Sequence, residues 1–175
     1  DTNFTIFNYA ASTGDFATKN FPIGYTYSTN VNPTDYILGV TSFQNIWIFA
    51  GDGQWTETAK WSLGRAPIAT DDTVIPDRAG FNDTITVAAG NQAAAKLTAS
   101  ENLLITGGQL TLGAGPSTTN ANLDIGGGIL IADGPLTANA LSLTGGALQG
   151  TGAVTVGNNF TFTGGVLANT GGVTV

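Results

Sequence analysis

The chain has 175 residues, of which only 10% are charged, and its 12 acidic and 5 basic residues give a net charge of −7. Without a basic patch that neutralises phosphates, we expect no binding to nucleic acid and none to an anionic membrane. The absence of cysteine and histidine excludes a disulfide framework, a thiolate nucleophile and the commonest general base and metal ligand. Since methionine is also absent, we expect a processed or excised piece of a larger protein.

The first 43 residues contain short stretches in which aromatic and polar side chains alternate, at residues 4–7, 25–27 and 36–40. Such alternation is typical of β-strands, and turn-forming Ser, Gly, Asn and Pro residues separate the stretches. We therefore predict a β-rich block over residues 1–43.

Residues 44–76 contain all three tryptophans of the chain, Trp47, Trp55 and Trp61. A solenoid that starts beyond them exposes apolar core and unpaired strand edges at its first coil. Bulky aromatic side chains cover such an end. We therefore predict that residues 44–76 form an aromatic cap and lead into a solenoid whose first strand lies near residues 72–76.

The remainder of the chain is repetitive. Four segments align without a gap from Leu103, Leu123, Leu141 and Phe160, at spacings of 20, 18 and 19 residues. Each segment has apolar residues at its first and third positions, Gly-Gly at the fifth and sixth, and Leu at the eighth. The later copies are followed by a third short strand at residues 136–138, 154–156 and 173–175. A period of about 19 residues with short strands is typical of one coil of a parallel β-helix.

We therefore predict an all-β chain in which residues 77–175 form a parallel β-helix, with a rise of about 4.8 Å from coil to coil. Equivalent side chains then stack into ladders. Within the third copy we expect Ser142 and Ala147 to point outward. The predicted core ladder consists of Leu110, Leu130, Leu148 and Leu167, with Ile105, Ile125, Leu143 and Phe162.

Asparagine precedes three of the four copies, at Asn102, Asn122 and Asn159, whereas Ala140 precedes the other. Asparagine tolerates the left-handed backbone of a tight corner and can bond to its own copy in the next coil. We expect these residues to form a stacked corner of the solenoid.

Two parts of the chain resemble bacterial surface proteins. Residues 61–76, which read Trp-Ser-Leu-Gly-Arg-Ala-Pro and then Asp-Thr-Val-Ile-Pro, resemble the start of β-helical stalks. The Leu-x-Leu-Thr-Gly-Gly-x-Leu copies resemble filamentous-haemagglutinin or autotransporter-passenger repeats, and residues 4–40 are similar to the end of such a block. The resemblance implies a right-handed β-helix, an extracellular location at the cell surface, and partners that are copies or adjacent modules of a larger chain. Such families have no catalytic residue to carry over.

Enzymatic chemistry needs groups that the repeats lack. β-Helical lyases and glycoside hydrolases use paired carboxylates, or a carboxylate cluster beside a basic residue. Between Leu103 and Val175 the charged residues are Asp124 and Asp133, with no basic partner. We therefore expect no catalysis and no cofactor.

Aspartates upstream of the repeats offer oxygen ligands that calcium prefers. Their spacing matches neither an EF-hand loop nor the glycine-rich nonapeptide calcium repeat, so the favoured role is that of turn and strand-flanking residues. These aspartates are Asp52, Asp71, Asp72, Asp77 and Asp83.

Two surface-binding interpretations remain open. The tryptophans offer rings that stack on sugars, although packing in a cap is the favoured role. The pair Thr161 and Thr163 suggests ice binding, which needs a regular threonine array on one face of many coils. At the position of Thr161 the other copies carry Leu104, Asp124 and Ser142.

The function that we expect is that of a structural repeat segment in an extracellular bacterial fibre, stalk or adhesin, which assembles end to end with neighbouring modules. The first alternative is a module that binds carbohydrate or a host surface through residues 1–76, and the second is a polysaccharide-acting β-helix enzyme. The candidate assembly edges are Val173, Val175, Phe4 and Ile6.

Overall fold

The computed structural model describes residues 2–8, 25–31 and 34–175, and strands account for most of them. The chain divides into two compact units, which meet in sequence between Gln44 and Asn45. In the described part of the chain, no helix has the length and apolar character needed to cross a membrane. The predicted fold class, all-β with a parallel solenoid of about 19 residues per coil, is confirmed.

The first unit is built from antiparallel strands. Its strands are β1 (Thr2–Asn8), β2 (Tyr25–Val31) and β3 (Asp35–Ile46), the last of which extends into the second unit. Both β1 and β2 pair with β3, so β3 is the central strand of the three. The likeness of residues 1–43 to the end of a preceding solenoid block stays a prediction.

The second unit is the solenoid. One turn of 3₁₀ helix, Thr58–Lys60, lies near its start. Its strands are β4 (Gly53–Gln54), β5 (Asp72–Ile75), β6 (Thr84–Val87), β7 (Asn91–Ala94), β8 (Lys96–Ala99), β9 (Asn102–Ile105), β10 (Gln109–Leu112), β11 (Ser117–Ile125), β12 (Ile129–Ala132), β13 (Leu136–Leu143), β14 (Ala147–Gly150), β15 (Val154–Phe162), β16 (Val166–Asn169) and β17 (Val173–Thr174).

These strands stack, parallel and mostly in register, into three columns. The first column contains β5, β8, the first halves of β11, β13 and β15, and then β17. The second column contains β4, β6, β9 and the second halves of β11, β13 and β15. The third column contains β7, β10, β12, β14 and β16. One coil therefore consists of one strand from each column, and its backbone bonds to the coils on either side.

The predicted core residues lie one above another inside the solenoid. Leu110, Leu130, Leu148 and Leu167 are consecutive partners in the third column. In the second column the consecutive partners are Ile105, Ile125, Leu143 and Phe162. The first three members of each series are completely buried. Aliphatic side chains at alternate positions of each strand therefore supply the continuous core.

The last coil departs from the core prediction. Leu167 is 38% exposed and Phe162 is 50% exposed, although both are in register with buried partners. The physical reason is that an apolar side chain in a solenoid is covered from both sides, and no strand in the described residues lies beyond them except β17 over the start of β15.

One further expectation is corrected. The solenoid begins upstream of the predicted start near residues 72–76, because β4 already pairs in parallel with β6. Ala147 is only 7% exposed, although it alternates with Leu148 and is in register with half-buried Ile129 and exposed Val166. Because Ala147 does not belong to the core cluster, its low exposure reflects a small side chain beside bulkier neighbours in the adjacent coils.

Candidate assembly surface

The three tryptophans pack together at the first coil. Trp47, Trp55 and Trp61 are all 1% exposed or less, and the ring of Trp61 meets each of the others edge-on with centroids 5.1 Å apart. The indole Nε1 of Trp61 donates a hydrogen bond to the carbonyl oxygen of Trp55 at 2.7 Å. The rings belong to the same core cluster as the solenoid leucines. They present no free face to a sugar, so their role is packing.

A buried ion pair fastens the loop that precedes β5. Asp71 is 2% exposed and accepts a hydrogen bond at 2.8 Å from Nη2 of Arg65 and another, at 2.5 Å, from Nη1. The same carboxylate accepts the backbone N–H of Ile68 at 3.0 Å, and the carbonyl of Asp71 accepts the N–H of Ala95. The side chain of Asp71 therefore joins two parts of its own loop, and the backbone carbonyl of Asp71 joins that loop to the next coil.

A second buried carboxylate fastens the loop between β5 and β6. Glu101 is 3% exposed and accepts the backbone N–H of Arg78 at 2.8 Å and that of Asp83 at 3.0 Å. Asp83 in turn accepts the N–H of Gly51 at 3.0 Å. Hydrogen bonds from Arg78 and Asp83 to Glu101 therefore fix both ends of the loop to the neighbouring coil. The exposed Phe81 lies between these two fixed ends.

Four of the five aspartates considered as calcium ligands make hydrogen bonds or ion pairs with neighbouring segments. Asp52 accepts the N–H of Thr84 at 2.7 Å, Asp72 pairs with Lys96 at 2.8 Å, and Asp77 is exposed. Among the described residues, no three acidic side chains gather where they could hold a metal ion.

The two remaining charged groups of the repeats lie apart from any basic residue. Asp124 lines a shallow polar groove on the outer face of the second column, and none of the residues that line this groove is basic. The lining side chains are Asn122, Asp124, Ala140, Leu141, Ser142, Asn159 and Thr161. Asp133 is exposed. This arrangement offers hydrogen bonds but no carboxylate beside a base.

The candidate assembly edges lie in different surroundings. Val173 is half-buried in β17 and packs against the core, whereas Val175 is 72% exposed. Phe4 lies opposite Leu38 in the antiparallel pair of β1 and β3, and Ile6 falls at an irregularity in that register. The side chains of Phe4 and Ile6 are outside the described part of the structure.

Exposed large apolar side chains in residues 45–175 are confined to the two ends of the solenoid. We call the first group the head patch and the second the tail patch. The head patch comprises Ile48, Phe49, Ile68 and Phe81. The tail patch comprises Phe162, Val166, Leu167 and Val175. No large hydrophobic side chain between Phe81 and Phe162 is exposed.

The asparagine corner stacks as predicted, but its backbone differs. Asn122 is in register with Ala140, and Ala140 with Asn159, and Asn122 donates its backbone N–H to the side chain of Asn102 at 3.3 Å. Among the described residues every positive φ belongs to glycine, so the asparagines do not adopt the left-handed backbone. A bond between two asparagine side chains lies one residue earlier, where Nδ2 of Asn158 donates to Oδ1 of Asn139, a pair that the repeat alignment did not single out.

Sequence reasoning also missed Arg65 and Glu101. The spacing of Arg65 and Asp71 does not show that the carboxylate is buried, and the partners of Glu101 lie in the neighbouring coil. No model of a protein family matches the chain, and comparisons with curated proteins and with solved structures find no significant match.

Proposed function

We propose that this chain is a structural segment of an extracellular bacterial surface fibre, stalk or adhesin, which assembles end to end with neighbouring modules and carries out no catalysis. The observation that supports end-to-end assembly is the confinement of exposed large apolar side chains to the head patch and the tail patch. Exposed large apolar side chains gathered in one region mark interaction sites in soluble proteins. In the tail patch, Val166 and Leu167 belong to the outermost strand of the third column, where a further module would continue the stack.

The tail patch combines apolar side chains with free strand edges. Val166 is 54% exposed and Leu167 is 38% exposed, and both belong to β16, which is the outermost strand of the third column. An uncovered edge strand presents unpaired N–H and C=O groups that pair readily with another strand. A further coil, from the same chain or from a neighbour, would cover these apolar side chains and pair with the free backbone groups of β16.

The middle of the solenoid is suited to a mechanical role. Its coils are joined by parallel backbone ladders in three columns, and the core is continuous through them. In such arrays each coil contacts the coils directly before and after it. Because these contacts repeat along the whole solenoid, we expect the solenoid to resist bending. A contact between head and tail patches would be heterologous, and it would give an open filament when the rotation between neighbours does not close a ring.

The bacterial cell-surface setting rests on the resemblance of residues 61–76 and of the leucine repeats to surface stalks and adhesins. It is tested by labelling intact cells that produce the parent protein with an antibody raised against this chain. Labelling only after the cells are broken would reject it.

Assembly is tested by sedimentation velocity across a concentration series. We expect the unmodified chain to form larger species as its concentration rises. Val166→Lys places a charge on the outermost strand, where lysine opposes edge pairing, and should leave monomers. Val166→Thr is the matched control, since it keeps the β-branched shape without a charge, and should still assemble.

A variant in the head patch distinguishes head-to-tail assembly from tail-to-tail assembly. Phe81→Ser should also yield monomers if the head patch meets the tail patch. If Phe81→Ser has no effect while Val166→Lys does, two tails meet instead. A chain that stays monomeric at every concentration contradicts assembly by this segment alone.

A further inference from the structure

A column of threonines runs along the outer face of the first strand column. Thr98, Thr118, Thr137, Thr155 and Thr174 are consecutive in-register partners. Thr118 is half-buried and the other four are exposed, because the neighbouring residues on each strand point into the core. Five coils therefore present the same hydroxyl and methyl group at the same place.

The residues that directly flank this column are uncharged from Thr118 onward, and the exposed Asp133 lies two residues before the flanking Pro135. The residues that precede the threonines on each coil are small or cyclic, and those that follow them at the corner of the coil are asparagines. The first flank consists of Pro116, Pro135, Ala153 and Gly172. The second consists of Asn120, Asn139 and Asn158. The nearest charged group at the base is Lys96, which pairs with Asp72.

The backbone fixes the spacing of these hydroxyl groups. Parallel strands lie about 4.8 Å apart, so the five threonines span about 19 Å in four equal steps. Threonine is β-branched and restricted at χ1, which favours the same side-chain orientation in each coil. A ligand that contacts all five at once must itself repeat at this spacing.

We propose that the outer face of the first strand column binds ice. The water molecules of ice repeat at a spacing close to that between strands. They can donate hydrogen bonds to the threonine hydroxyl groups and accept hydrogen bonds from them. Charged side chains hold their own hydration shell tightly, so the uncharged flanks favour an ordered water layer. A sugar is the less suitable occupant, because this face carries no exposed aromatic ring on which a sugar could stack.

The site differs from the one that the sequence suggests. The repeat alignment points to Thr161 in the second column, where the partner in the preceding coil is Ser142 and the one before that is Asp124. The in-register threonines lie in the first column. Only Thr174, which is next to Val175, lies beside the tail patch. The substitutions that test this face are at other coils, so its test and that of assembly can fail separately.

Ice recrystallisation in a frozen sucrose solution that contains the full chain tests the proposal. We expect the unmodified chain to stop the growth of ice grains. Thr137→Lys puts a charge in the middle of the column and should abolish the inhibition. Ser142→Lys lies on the same strand, on the outer face of the second column, and should leave the inhibition unchanged.

Circular dichroism of each variant checks that the solenoid is intact, and Thr155→Lys replaces Thr137→Lys if the latter does not fold. Ice grains that grow equally with and without the unmodified chain overturn the proposal. Equal loss in Thr137→Lys and Ser142→Lys also overturns it, because the effect would then belong to added charge in general.

Discussion

The guanidinium of Arg65 and the carboxylate of Asp71 form a two-pronged ion pair, with Nη2 donating to Oδ1 at 2.8 Å. The two partners differ in burial, since the side chain of Asp71 is 2% exposed and that of Arg65 is 41% exposed. Removal of Arg65 therefore leaves a buried carboxylate that retains only the N–H of Ile68 as a direct donor.

We predict that Arg65→Ala lowers the free energy of unfolding by about 2 kcal/mol, since the buried carboxylate of Asp71 loses its charged partner. The loss is smaller than for a fully buried pair, because solvent already screens the half-exposed guanidinium of Arg65. Lys96→Ala is the matched control, because its pair with Asp72 is half-exposed and should contribute at most about 1 kcal/mol. Urea denaturation measures both variants. Equal losses would show that the burial of Asp71 has no consequence.

We predict that Glu101→Gln destabilises the loop between β5 and β6 by about 2 kcal/mol. The carboxylate accepts two backbone N–H groups, whereas an amide offers one acceptor oxygen and turns its NH₂ group toward the other donor. Limited proteolysis should cut the variant within residues 77–82 sooner than the parent. Unchanged cleavage there would mean that Glu101 does not hold the loop.

Two glycines with similar backbone angles separate conformational strain from crowding between coils. Gly64 has φ +65°, and a Cβ added there would have no atom within 4 Å. At Gly146, with φ +62°, an added Cβ would lie 2.0 Å from the carbonyl oxygen of Gly128.

Gly64→Ala should therefore cost about 1 kcal/mol from backbone strain alone. Gly146→Ala should cost about 3 kcal/mol or more, since the coils must also move apart. Thermal denaturation that ranks Gly64→Ala as the worse variant would contradict this account.

The leucine ladder predicts a difference between its middle and its end. Leu130→Ala opens a cavity between Leu110 and Leu148 and should cost about 3 kcal/mol. Leu167 is 38% exposed, so Leu167→Ala should cost only about 1 kcal/mol in the monomer. Chemical denaturation at low protein concentration measures both. If the chain assembles through its tail, the effect of Leu167→Ala should grow as protein concentration rises.

The carboxyl of Glu57 predicts a local dependence on pH. The backbone N–H of Gln54 and then the Lys60 ammonium hold the pKa of Glu57 below its ordinary value of 4.5. Because the folded-state pKa is lowered, this group stabilises the turn above its unfolded pKa and loses that contribution as pH falls through the folded value. An NMR titration of Glu57 measures the pKa, and Lys60→Ala should raise it. A pKa at or above the ordinary value would contradict the observed contacts.

Periodicity was enough to predict the solenoid and six of the eight proposed members of its core ladder. The spacing of Leu110, Leu130 and Leu148 places the same side chain at the same point of successive coils, and an alternating strand needs no further information to bury them. The low exposure of Ala147 was not predicted, because it depends on the larger side chains of Ile129 and Val166 beside it in the adjacent coils.

The anchors and the threonine column required coordinates. Arg65 and Asp71 are close in sequence, but nothing in their spacing shows that the carboxylate is buried. Thr98 and Thr118 lie outside the copies that align best, so their register with Thr137 becomes visible only when the strands are paired. The exposure of Leu167 likewise depends on whether another strand covers β16, and the sequence pattern of a single coil does not show this.

All three tryptophans of the chain lie at the start of the solenoid, buried in one cluster. Indole fluorescence therefore reports on that terminus alone, whereas far-ultraviolet dichroism averages over every coil. In an array of nearest-neighbour contacts, melting can start at one terminus and spread. Fraying from Val175 inward would be silent in the emission spectrum, so transitions that fail to coincide between the two spectroscopies would reveal the direction in which this protein unravels.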